Sequence, residues 1–253
     1  MRQIYLIILL LATVCTGCQW RLPPPDEEAT SDVITIERYD RPEMLFLTTG
    51  DFAALQQLKT AYPTQTRMLI EEVLQLGQVD DTDINTRFLL FFQDSTLQAI
   101  MADVEREFAN LDNESRQLTE AFARLRTLLP DVEIPVVYSQ IGSFDQSIIV
   151  GDGQLGISLD KYLGSDYPLY LKYGYSEQQR QMMTRRYIVP DCLGFYLLSL
   201  YPPAADSLHH EQMARIQYVV NRAMNERFFT HDGIAAVERQ LKGKRITIDE
   251  LLK

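Results

Sequence analysis

The sequence predicts an α+β fold, namely a single mostly helical domain that contains a small sheet with a β-hairpin. From about Asp51 to Leu129, apolar residues recur at the spacing of a helix face. The chain then becomes rich in β-branched residues, and Asp152-Gly153 between two apolar runs is a strong hairpin signal. Helical patterning returns after Tyr170, and no internal repeat divides the chain. We therefore expect one domain over residues 33–253.

Two apolar stripes define the helices of the first half. Asp94 is placed to cap the first helix, and Pro130 stops the second. The stripes could be faces that bind a partner, but their spacing favours packing in the core. Their inward residues are Leu97, Ile100, Met101, Val104 and Phe108 in the first helix, and Leu118, Ala121, Phe122, Leu125 and Leu129 in the second.

Other elements follow from local pattern. Residues 33–39, "VITIERY", alternate like a strand. Pro190-Asp191 suits the start of a helix, because proline is tolerated there and an acid meets the positive end of the dipole. A longer helix is predicted from about Asp206, with Met213, Ile216, Val220 and Met224 facing inward.

The N-terminal residues 1–17 have the pattern of a lipoprotein signal peptide. Arg2 precedes a short apolar run, residues 4–14, which is well below the about 20 residues of a transmembrane helix. Thr16 and Gly17 are small, as cleavage before a lipidated cysteine requires, so Cys18 is the predicted site of lipid attachment. An ordinary secreted protein, in which Cys18 has no such role, is the alternative.

Residues 18–32 are predicted to be a proline-rich, acidic linker that would hold the domain away from a bilayer. Once the signal is removed and Cys18 is acylated, Cys192 is the remaining thiol. The sequence therefore predicts that no disulfide crosslinks the mature chain.

Charge narrows the range of partners. The formal net charge is -11, and a signal peptide that leaves with Arg2 makes the remaining chain one unit more acidic. Such acidity disfavours nucleic acid and anionic membrane surfaces. We expect the membrane to be reached through the N-terminal lipid, and the partners to be as yet unidentified envelope proteins.

The sequence departs from the common catalytic motifs at defined positions. His210-Glu211 begins the zinc motif HExxH, but Ala214 replaces its second histidine. In residues 156–160 the final glycine of GxSxG is Asp160, which leaves Ser158 as a predicted outward strand residue. Cys192 has no adjacent histidine and is expected to be packed in the core. These departures predict no catalytic residue, no metal and no cofactor; the alternative is a metallopeptidase-like hydrolase with an unrecognised site.

The stretch "GISLDKYLGSDYPLY", Gly156–Tyr170, resembles the signature of the gliding-motility lipoprotein GldB family of Bacteroidetes. The segments "ITIERYDR", "LKTAYP", "IPVVYSQIG" and "YIVPDC" agree with that family in the same order. The resemblance implies a lipid-anchored cell-envelope protein linked to gliding motility and type IX secretion. It supplies no catalytic residues. A fainter similarity to zinc-protease-like envelope proteins implies a degenerate zincin-like fold, whose cleft would bind a peptide along a strand edge.

These observations predict a non-catalytic binding or assembly protein, anchored in the outer membrane and facing the periplasm. Its candidate interaction surface consists of the signature residues and one acid of the later segment, namely Asp160, Tyr162, Leu163, Gly164, Asp166, Pro168, Tyr170 and Asp191. Two other interpretations stay open. Tyr162, Leu163 and Tyr170 could pack the hairpin onto the helices, and Asp160, Asp166 and Asp191 could converge on a metal or substrate.

Overall fold

The computed structural model describes residues 33–243 and 245–253, which lie in the compact unit Asp32–Lys253. The predicted signal peptide, the lipid attachment site Cys18 and the linker to residue 32 lie outside the described residues. None of the helices in the described ranges is both long enough and apolar enough to span a bilayer.

The described chain is mostly helical, with one small sheet between two sets of helices. The first set comprises α1 (Asp40–Thr49), α2 (Phe52–Thr60), α3 (Pro63–Arg67) with a π-helical continuation (Met68–Val73), α4 (Ile84–Phe91), α5 (Ser95–Glu107) and α6 (Asp112–Leu128). The sheet contains β1 (Val136–Gln140), β2 (Ile148–Gly151) and β3 (Gln154–Ser158), and a 3-10 turn (Leu159–Tyr162) follows it. The second set comprises α7 (Pro168–Lys172), α8 (Glu177–Met182), α9 (Ile188–Leu200), α10 (His209–Met224), α11 (Asp232–Leu241) and α12 (Ile248–Leu252).

The sheet is mixed, and β3 is its central strand. β1 pairs with β3 in parallel, whereas β2 pairs with β3 in antiparallel register. The β2–β3 turn is the predicted hairpin, in which Asp152 and Gly153 both take positive φ values, 49° and 71°, as a type I′ turn requires. The predicted α+β class is thus confirmed.

The predicted helix faces pack in the hydrophobic core. Asp94 caps α5 by accepting the backbone N–H groups of Thr96 and Leu97. α6 ends at Leu128, before Pro130, and Cys192 is buried as expected. The inward residues of α5 and α6 are buried or partly buried, as are those of α10. The residues His209 and His210 are exposed at the start of α10.

The predicted strand at residues 33–39 is wrong. Only Glu37 forms a β-bridge, with Tyr138. The reason lies in α6, whose hydroxyl groups accept the backbone N–H groups that a ladder would use: Ile34 donates to Thr119 and Ile36 to Ser115.

Two further details are corrected. Ser158 is buried rather than outward, because consecutive residues of β3 from Leu155 on are buried, so neither face of the strand end is open to solvent. Gln140 donates to its hydroxyl at 3.3 Å. α9 begins at Ile188, two residues before the predicted start at Pro190. Proline is tolerated in the first turn of a helix, where backbone N–H groups have no intrahelical partner.

Candidate binding site

Asp160 of the signature segment, Gly156–Tyr170, ties the end of the sheet to the loop between β1 and β2. Its side chain is completely buried, and its two oxygens accept the backbone N–H groups of Gly142 at 2.8 Å and Phe144 at 2.6 Å. Burial raises the pKa of Asp160 above its ordinary value, and these two hydrogen bonds oppose the rise without cancelling it. The loop backbone is left-handed at Ser143 and at Phe144, with φ values of 57° and 63°. Non-glycine residues rarely adopt this conformation, so the carboxylate holds a strained loop in place.

Tyr170 secures the turn from the other side. Its hydroxyl donates to the carbonyl oxygen of Asp160 at 2.6 Å and accepts the N–H of Leu163 at 3.0 Å. Gly164 follows with a φ of 112°, a conformation that favours glycine, and its N–H donates to Met183 at 3.0 Å. These bonds join the signature segment to the residues that follow α8.

Tyr162 lies between these ties and reaches α9. Its hydroxyl donates to the carboxylate of Asp191 at 2.8 Å. Asp191 is in the first turn of α9, is partly exposed as a residue, and lines a cleft. The structure thus brings together two of the predicted site residues that are far apart in sequence.

The cleft is an open, mostly apolar cavity of about 340 Å³. The hydrophobic side chains Met182 and Phe195 are each 41% exposed at this surface. Polar groups are few, and Asp191 and Lys161 carry its charges. The apolar residues that line it are Tyr162, Tyr175, Met182, Met183, Pro190, Phe195, Met213 and Phe229.

Burial in this apolar setting raises the pKa of Asp191 to about 7, while the hydrogen bond from Tyr162 opposes the rise. An acid in such a position changes charge near neutral pH. The cleft can therefore present either a carboxylic acid or a carboxylate to whatever enters it.

Lys161 and Tyr175 form one wall of the cleft. The Lys161 ammonium donates to the hydroxyl of Tyr175 at 3.0 Å and to the carbonyl oxygen of Phe144 at 3.1 Å. The Tyr175 hydroxyl donates to the same carbonyl at 3.1 Å. The wall thus depends on the loop that Asp160 holds.

The candidate interaction surface divides into interior and exterior residues. Asp160, Tyr162 and Tyr170 are buried, and their hydrogen bonds hold the signature segment together from the interior, with Tyr162 also lining the cleft. Asp166 and Pro168 are exposed. Leu163, Gly164 and Asp191 are partly exposed.

The three aspartates have separate surroundings. Asp160 binds backbone N–H groups, Asp191 accepts from Tyr162, and Asp166 is exposed. Within residues 33–243 and 245–253, no cluster of three or more His, Cys, Asp or Glu side chains is arranged to hold a metal ion.

Sequence reasoning missed the cleft itself. Met182, Met213, Phe195 and Phe229 line it from different elements. The local pattern of α10 placed Met213 on an inward face, but did not show that this face opens to solvent.

Fold and cleft together define a mostly helical α+β protein whose signature segment joins a small sheet to an open apolar cleft. The family model described as gliding motility protein GldB matches residues 23–226. The chain therefore belongs to the GldB family, and the resemblance noted in its signature segment is confirmed. The comparisons with curated proteins and with solved structures find no match. The degenerate zincin-like fold thus stays a prediction.

The raised pKa of Asp191 predicts a pH-dependent effect of Asp191→Asn on stability. Between the ordinary aspartate pKa of 3.8 and about 7, the native state holds a proton that the unfolded state has lost. Stability of the parent therefore falls as pH rises through this window, whereas asparagine has no proton to lose. We expect the variant to gain, relative to the parent, about 2 kcal/mol in free energy of unfolding between pH 4 and pH 8. Full linkage over three pH units would give about 4 kcal/mol, and exposure at the cleft reduces it.

Urea unfolding at both pH values measures this difference. The exposed Asp206→Asn, outside the cleft, is the matched control. An Asp191→Asn effect that is the same at pH 4 and pH 8 would show that the carboxyl group is not held in its neutral form.

Proposed function

We propose that the protein is a non-catalytic, lipid-anchored binding component of the cell envelope, which serves gliding motility or the associated secretion machinery. Its proposed task is to hold an apolar segment of an envelope partner in the Asp191 cleft. The family assignment supports the link to motility. The proposed location is the periplasmic side of the outer membrane. Nucleic acid is not a proposed partner.

The observation that carries the binding role is the exposed apolar lining of the cleft. Single exposed apolar side chains are common, but Met182 and Phe195 lie together in one concavity with a mostly apolar lining, and contiguous exposed apolar surface marks binding sites. Methionine side chains are flexible and polarisable, and adapt to differently shaped apolar groups. Asp191 at the cleft adds one polar anchor that can fix orientation.

The anchor is proposed at Cys18, preceded by a signal peptide over residues 1–17 and followed by a linker over residues 18–32. Two or more acyl chains bind a bilayer far more stably than one, so the acidic domain needs no basic patch to stay attached. The hydrolase alternative has no support among the described contacts, and it stays a prediction.

The anchor predicts the behaviour of a Cys18→Ser variant in cells. The variant should lose incorporation of radiolabelled fatty acid and leave the membrane fraction, because no thiol remains at position 18 to form the thioether. Cys192→Ser is the matched control, since that thiol is buried in the core. Equal labelling of Cys18→Ser and the parent would refute the anchor.

The binding role predicts position-specific crosslinking. A photoreactive phenylalanine analogue at position 195 should give a discrete crosslinked product in intact cells. The same analogue at position 52, a site that is 69% exposed at the start of α2, should not. Placing a charge in the cleft with Met213→Arg should abolish the product, because an apolar segment would then have to cover a charged guanidinium group.

Circular dichroism of purified Met213→Arg establishes that the variant is folded. Two results would contradict a binding role for the cleft. One is the same crosslinked product from the analogue at position 52 as at position 195. The other is an unchanged product from position 195 when the folded protein also carries Met213→Arg.

A further inference from the structure

A second concavity lies on the other side of the Tyr175 wall. It measures about 620 Å³, and we call it the aromatic groove. It is open to solvent, and it shares Tyr175 with the Asp191 cleft. Its lining residues are Val73, Leu74, Phe91, Asp94, Thr96, Leu97, Ser143, Phe144, Asp145, Tyr173 and Tyr175.

Aromatic rings give this groove a firm surface. Phe144 packs edge-on against Tyr170 and Tyr173, with ring centroids 5.4 Å and 5.8 Å apart. Tyr173 is nevertheless 56% exposed. A ring held by neighbouring rings and open on its other side can receive a planar or cationic group with little loss of entropy.

The charges of the groove are negative. Asp94 uses one oxygen to cap α5; the backbone N–H groups of Thr96 and Leu97 lower its pKa most, and the charge of Lys172 lowers it further. Asp145 differs, because its side chain is exposed and has no hydrogen bond or ion pair to any described residue. The lining contains no lysine, arginine or histidine. The groove therefore offers an uncommitted carboxylate and an exposed aromatic ring in one lining.

We propose that the aromatic groove binds a basic side chain, arginine in particular, presented by a protein partner. A guanidinium group is planar, stacks on aromatic faces and pairs with a carboxylate through two parallel hydrogen bonds. Tyr173 supplies the face and Asp145 the carboxylate. The acidic chain, with a net charge of -11, favours the approach of a basic partner. A neutral saccharide would also stack on Tyr173, but it would leave the Asp145 charge without a counter-charge.

The arginine site is independent of the Asp191 cleft, because Asp145 and Tyr173 do not line that cleft. It predicts that N-acetyl-arginine amide shifts the ring resonances of Tyr173 in a saturable way, followed by NMR of protein with ¹³C-labelled tyrosine. N-acetyl-citrulline amide has nearly the same shape without the charge, and should bind at least about tenfold more weakly. Asp145→Asn should weaken arginine binding to a similar degree. Asp206→Asn is the matched control and should leave it unchanged.

Three results would overturn this proposal. One is equal binding of the arginine and citrulline probes, and another is full arginine binding by Asp145→Asn. The third is saturable binding of the N-acetylglucosamine trimer by a groove that does not respond to arginine, which would assign the site to a saccharide.

Discussion

A buried carboxylate must be paired, and the way in which Asp160 is paired sets the geometry of this protein's surface. A buried charge without partners costs several kcal/mol, which limits where such a side chain can sit. Here the partners are the N–H groups of Gly142 and Phe144, the two ends of a left-handed turn. Each partner constrains the other. The loop N–H groups provide the hydrogen bonds that the buried carboxylate needs, and the carboxylate holds the loop in a conformation that its residues rarely adopt.

Both concavities depend on that arrangement. Phe144 contributes its ring to the aromatic groove and its carbonyl oxygen to Lys161 and Tyr175, which separate the groove from the cleft. Two residues after Asp160, Tyr162 leaves the same 3-10 turn and contacts Asp191. The signature segment thus acts mainly from the interior: its buried polar side chains position surfaces that other residues provide.

The sequence predicts elements whose signals are local. The α5 and α6 stripes, the Asp94 cap and the Asp152-Gly153 turn each depend on a few neighbouring residues, and the structure has all of them. Residues 33–39 alternate like a strand but pair through α6 hydroxyl groups, a contact across about 80 positions that alternation cannot reveal.

The site shows the same division between local and distant signals. The signature residues stand out in the sequence, yet their burial depends on how the loop folds over Asp160. Met213 and Phe229 reach the cleft through the packing of the second helical set. The spacing of α10 predicts that Met213 faces inward, but no local pattern predicts that Met213 and Phe229 line an open cleft. Asp145 and Tyr173 are about 30 positions apart, and Phe144 brings their surroundings together at the groove.

Amide hydrogen exchange at Gly142 and Phe144 tests the role of Asp160 most directly. In the parent, both amides should exchange as slowly as those of the central strand β3. In Asp160→Ala, they should exchange at least about 100-fold faster relative to Leu155 and Ile157, because the loop then opens locally. Asp166→Ala, which removes an exposed acid of the same segment, should leave them protected. Unchanged protection of both amides in Asp160→Ala would contradict the claim that this carboxylate holds the loop.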